Sequence, residues 1–75
     1  MTITINNKQY KIVRNAEIEY RSNRVNPNAW VAMYLTDIDA EDNETTYIAW
    51  YYVEDLDNTE LDSIDYENPY DIEDI

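Results

Sequence analysis

Carboxylates are the only reactive groups this sequence offers in quantity. Seventeen of its 75 residues are Asp or Glu, and it has neither His nor Cys. Without His the commonest general base and the commonest transition-metal ligand are missing. Without Cys there is no disulfide, thiolate ligand or thiol nucleophile. Paired carboxylates run acid–base chemistry only where the surroundings raise one pKa and hold the other down. The acids here fall mostly on predicted surfaces or a C-terminal tail, where nothing is expected to split a pair. Ser22 and Ser63 have no His to activate them, and a chain with no Gly has no glycine-rich phosphate loop. Lys8 and Lys11 read as solvated charges on a hairpin. The expectation is a protein that is not an enzyme and uses no cofactor.

The densest acidic loop invites a calcium reading. An EF-hand loop opening at Asp37 needs Gly at its sixth position and Glu at its twelfth. Asp42 and Ile48 stand there instead, so no dedicated metal site is expected.

Binding is what remains, and the charge distribution points to its sign. All five cations, Lys8, Lys11, Arg14, Arg21 and Arg24, lie in residues 1–24, which hold only Glu17 and Glu19 as acids (5 − 2 = +3). From Val25 to Ile75 there are fifteen acids and no Lys or Arg, bringing the whole to −12. Such a charge keeps a protein soluble, works against binding to nucleic acid or anionic membrane, and speeds encounter with cationic partners. Solubility alone does not call for excluding every cation over fifty residues, because mixed signs serve it well. No segment has the basic-then-apolar layout of a signal peptide, and the apolar stretch Tyr47–Val53 is too short to span a bilayer. A cytoplasmic protein is the expectation.

The elements that must carry these charges are mainly β, with an α+β borderline. The length allows one domain with a marginal core. Within it we expect residues 1–55 to form an antiparallel sheet of about four to five strands built from two hairpins. Residues 56–75 would add a short acidic helix or tail. Asn6-Asn7 suits a two-residue type I′ turn, which needs positive φ twice, and Asn is the next best residue after the absent Gly. That turn pairs Ile5 with Lys8, Ile3 with Tyr10 and Met1 with Ile12, putting Ile3, Ile5, Tyr10 and Ile12 on one face. The alternation runs on through Ala16, Ile18 and Tyr20, as one long bent strand or as two strands meeting at a bulge near Arg14-Asn15. Residues 22–28 read as a loop.

The second hairpin joins Trp30–Ile38 to Thr45–Glu54 across the polar segment Asp39–Glu44. Its strands are apolar on both sides: Val31, Met33, Leu35, Tyr47, Ala49, Tyr51 and Val53 against Trp30, Ala32, Tyr34, Ile48, Trp50 and Tyr52. Such strands are usually central and covered twice, although a chain this short can leave one face partly open. Trp30, Trp50 and Tyr52 are then possible aromatic anchors for a partner.

In the last third, Asp57-Asn58-Thr59-Glu60 suits a helix start, with Leu61 and Ile64 facing the sheet until Asn68-Pro69 stops it. After Pro69 the chain is expected to fray or extend. A helix rises about 1.5 Å per residue, so Asp57, Glu60, Asp62, Asp65 and Glu67 would set a charge about every 3–4.5 Å. DNA carries a phosphate about every 3.4 Å per strand.

Small size, an acidic surface, and a composition rich in Ile, Asn, Tyr, Asp and Glu of the kind an AT-rich genome encodes make the chain similar in kind to phage-encoded DNA-mimic inhibitors. These include anti-restriction and anti-CRISPR proteins. The resemblance implies a partner with a basic groove built for nucleic acid, met by Asp57, Glu60, Asp62, Asp65 and Glu67 with the loop acids Asp39, Glu41, Asp42 and Glu44. The alternative is a small accessory subunit or adaptor that docks through the Trp/Tyr face, with the acids serving solubility.

Overall fold

The computed structural model describes residues 1–20, 25–27, 29–41 and 44–75. Arg21, Arg24, Asp42 and most of the expected 22–28 loop lie outside these. Five antiparallel strands form one open sheet in chain order: β1 (Thr2–Ile5), β2 (Lys8–Ile18), β3 (Trp30–Asp37), β4 (Tyr47–Tyr52) and β5 (Asp71–Asp74).

The first hairpin has the register its turn dictates. Ile5 pairs with Lys8, Ile3 with Tyr10, and the Ile12 N–H donates to the Met1 carbonyl at 2.9 Å. Asn6 and Asn7 take φ of 52° and 67°. An Ala at Asn7 would keep the Cβ that crowds the left-handed conformation and lose the polar side chain through which Asn tolerates it. We therefore expect Asn7→Ala to lose about 1–2 kcal/mol and Asn7→Gly to lose almost nothing, read from urea midpoints.

The long second strand is single and bent. Its register against β3 slips between Ile12 and Arg14 and again between Arg14 and Glu17. Each slip inserts one residue into β2, and the resulting two-residue shift restores the original facing: Ile12 opposite Leu35 and Ile18 opposite Val31 share a face, while Arg14 is turned to the other beside Tyr34.

The register of β3 on β4 pairs Val31 with Tyr51, Met33 with Ala49 and Leu35 with Tyr47, and on the other face Trp30 with Tyr52, Ala32 with Trp50 and Tyr34 with Ile48. The first set joins Ile5 and Tyr10 in the main core, capped by Leu56, Leu61, Ile64 and Tyr66. The second makes a smaller core of Trp30, Ala32 and Trp50, with Tyr34 and Ile48 packed on it. Three of the buried rings place their polar tips on acceptors, as burial favours. Trp30 Nε1 donates to the Val25 carbonyl at 3.2 Å, Trp50 Nε1 to Glu73 at 3.3 Å and the Tyr51 hydroxyl to the Tyr66 carbonyl at 2.8 Å.

The expected C-terminal helix is replaced by two single 3-10 turns, Leu56–Asn58 and Leu61–Ser63, joined by extended backbone at Thr59 and Glu60. The apolar spacing explains this. At about 100° per residue, Leu56 and Tyr66 would each lie about 140° from Leu61, on opposite flanks of a helix. Only a looser path lets all four residues reach the sheet. The chain then returns as β5, with Ile72 opposite Ala49, so residues 56–75 supply both a cover for one face and the fifth strand of the same sheet.

Candidate functional site

Between β4 and β5 three of the four apolar pegs are flanked by acids on both sides, and Ile64 is followed by Asp65. Leu56 lies between Asp55 and Asp57, Leu61 between Glu60 and Asp62, and Tyr66 between Asp65 and Glu67. The pegs are half-buried against the core, while Glu54, Asp55, Asp57, Glu60, Asp62, Asp65 and Glu67 are all exposed. The segment is pinned at several points: Val53 N–H to the Ala29 carbonyl at 2.8 Å, Ser63 Oγ to the Glu60 carbonyl at 2.7 Å, and the Tyr66 hydroxyl to the Leu61 carbonyl. Burial, with Asp62 nearby, pushes the Tyr66 phenol above its ordinary pKa, so it stays a neutral donor.

Two of the seven acids also build turns. Asp55 accepts from Asn58 Nδ2 at 3.1 Å, and Asp65 accepts from Asn68 Nδ2 at 2.7 Å and the Glu67 N–H at 3.3 Å. Among the described residues none of the seven makes an ion pair. Of the acids expected on a helix, Asp57, Glu60, Asp62, Asp65 and Glu67 thus share one surface, without helical spacing. Sequence reasoning missed Glu54 and Asp55, whose signal was the same acid run begun two residues earlier.

The loop acids are elsewhere. Asp39, Glu41 and Glu44 are exposed between β3 and β4, and Asp42 lies outside the described residues. Two turns shape that loop, Ala40 N–H to the Asp37 carbonyl and Glu44 N–H to the Glu41 carbonyl, and the Lys11 ammonium donates to the Ala40 carbonyl. The eight residues of β3, at about 3.3 Å each, set this loop roughly 25 Å from Glu54 and Asp55 at the other end of the sheet. The acids therefore form two groups.

The described cations that form ion pairs serve other acids. Lys8 pairs with Asp37 at 3.2 Å, and the Tyr47 hydroxyl donates to the same carboxylate at 3.0 Å. The Tyr47 hydrogen bond first, then Lys8, holds the Asp37 carboxyl below its ordinary value; hydrogen bonds with Tyr47 first, then Asp37, raise Lys8. Arg14 lies 4.0 Å from the Tyr34 ring centroid and pairs with Glu17 at 3.2 Å and Glu19 at 3.9 Å. Tyr34 donates to Glu19, and burial, then that bond, raises its pKa.

Of the possible aromatic anchors, Trp30 is 3% exposed and Trp50 0%; Tyr52 is exposed, as is Tyr70 beyond them. Both tyrosines meet Trp30 edge-on, at 5.3 and 5.0 Å. Among the described residues no three acids gather closely enough to hold a metal ion, and no helix is long and apolar enough to cross a membrane. Comparison with protein-family models, with curated proteins and with solved structures finds no match for this chain.

Proposed function

We propose that this protein is a non-catalytic inhibitor, of the anti-CRISPR or anti-restriction type, carried by a phage or mobile element. On this reading its acidic cover occupies a basic groove of a host nucleic-acid-binding protein in place of DNA or RNA, and it acts in the host cytoplasm. The observation that carries the reading is the row of seven outward carboxylates from Glu54 to Glu67, unpaired among the described residues and held by inward pegs. Carboxylates already fixed on a folded surface lose less freedom on binding than those of a loose tail. Unpaired, they keep their full attraction for a partner's Lys and Arg. The loop acids would reach a second part of the groove or a neighbouring surface.

Amide variants test this without disturbing the turns. Asp57→Asn, Glu60→Gln, Asp62→Asn and Glu67→Gln together, with Asp55 and Asp65 left in place, remove four charges. At about 0.5–1 kcal/mol each they should weaken the complex on the order of 10²-fold. The readout is capture of the partner from bacterial lysate at low salt, then competition of the captured protein with labelled nucleic acid. Undiminished capture by the amide variant, or by the natural protein at molar salt, would end the reading. Tyr52→Ala alone abolishing capture would favour the adaptor that docks through aromatic side chains.

A further inference from the structure

The two edges of the sheet are built differently. Three of the four residues of β5 are acidic (Asp71, Glu73, Asp74), and charge is a standard guard against another strand adding there. The other edge, β1, reads Thr-Ile-Thr-Ile: no charge, no Pro, no bulge, and strong β-formers throughout.

The turn register fixes which way the β1 backbone faces. Ile5 and Lys8 close the two-residue turn and exchange hydrogen bonds. The bonded pairs alternate from there through Ile3 with Tyr10, and Ile12 donates to Met1. The N–H and C=O groups of Thr2 and Thr4 therefore point away from β2, toward whatever lies beyond the edge. Both threonine side chains are exposed. Just inside this edge an apolar groove opens between Ile3, Ile12 and Ala16 on the sheet and Leu61 and Tyr66 on the cover. Met1, 92% exposed, stands at its mouth.

We infer that β1 pairs with β1 of a second copy of this chain, antiparallel about a two-fold axis through Ile3. In that register Thr2 faces Thr4 of the other copy, and Thr4 faces Thr2. All four outward groups of each strand are used, and Ile3 meets its equivalent on the axis beside both grooves. Thr–Thr and Ile–Ile are favourable cross-strand pairs, and the contact is isologous and closed. Shifting the pairing by one residue would set outward groups against inward ones, and moving the axis to Thr4 would set Thr2 against the Asn6-Asn7 turn of the other copy.

Charge also selects this edge. Two copies of net −12 repel, and β1 joins them at the least acidic part of each chain, where Lys8 and Lys11 lie on the adjacent strand. The axis stands normal to the sheet, so both covers fall on one side and double the acidic surface. Ten strands at about 4.8 Å span nearly 50 Å. A four-residue edge is a small contact, so the pairing is weak and concentration-dependent.

The inference stands apart from the inhibitor reading, and salt separates the two: screening should tighten a dimer of like-charged copies and loosen a complex with a basic groove. Sedimentation equilibrium of the natural protein at high concentration should show twice the 9.0 kDa chain mass, with the dimer fraction rising on addition of salt. Thr4→Pro should return the monomer with unchanged circular dichroism, because the N–H it removes points outward. Because the chain has no cysteine, Ile3→Cys introduces one thiol at the axis. The Cα separation of about 4.5 Å in such a pair lies within disulfide range. Under oxidised glutathione this variant should form a covalent dimer quickly and Glu41→Cys should not. A monomer at every salt concentration, or equal cross-linking by the two variants, would overturn the inference.

Discussion

Trp50→Ala is expected to leave little or no folded protein in plain buffer. The Trp50 ring is 0% exposed, paired across the sheet with Ala32 and edge-on to Trp30 at 6.4 Å. Truncating a buried Trp costs about 3–5 kcal/mol. A 75-residue domain holds roughly 4–11 kcal/mol in all, and this one also carries the self-repulsion of a −12 charge. The substitution also strips Glu73 of the indole N–H and so loosens β5. Far-UV circular dichroism and urea unfolding read the result. Tyr70→Ala is the control: Tyr70 is 69% exposed, and its loss should cost about 1 kcal/mol. A Trp50→Ala protein with an unchanged urea midpoint would mean that the smaller core contributes nothing. It follows that Trp50→Ala is a poor probe of partner contact, because loss of binding would report loss of fold.

The second large effect is alkaline instability. Burial pushes the Tyr51 phenol far above its ordinary 10.0, and the Tyr66 and Asp65 charges add to the shift; Tyr66 and Tyr34 are raised as well. A raised acid pKa means that the folded chain holds its protons after the unfolded chain has released them. Stability is then fully present below the ordinary tyrosine value and falls as pH climbs past it. Urea midpoints should drop steeply above about pH 10. Tyr51→Phe should flatten that drop. At neutral pH the same variant should lose about 1–3 kcal/mol, because the Tyr66 carbonyl loses its donor. A drop as steep in Tyr51→Phe as in the natural protein would place the alkaline sensitivity elsewhere.

The first hairpin was legible because a two-residue turn leaves one register and Asn6-Asn7 names the turn. The facial division of β3 and β4 was legible for a similar reason: alternation over eight and six residues fixes which side chains face together. The bulges were half legible. Even-numbered apolar residues on both sides of Arg14 look continuous because two one-residue slips add to a shift of two, which keeps the facing, and only the pairing with β3 exposes them. The cover reads in the sequence as a short helix or a tail, because Leu61 and Ile64 have helical spacing; Leu56 and Tyr66, which do not, decide for two separate 3-10 turns. At the candidate site, exposure of the acids followed from composition. Which acids are neutralised did not: that Lys8 goes to Asp37 and Arg14 to Glu17 and Glu19 depends on register across strands.

The strand order along the sheet is the order along the chain, so each strand needs only its predecessor as a template. Loop-closure entropy is then met in small instalments, and such a topology should fold faster than a sandwich of equal size whose partners lie far apart in sequence. The assembly also has a direction. The first hairpin can form as soon as it is made, and β5, arriving last with its acids outermost, should be the first strand to peel away in hydrogen exchange.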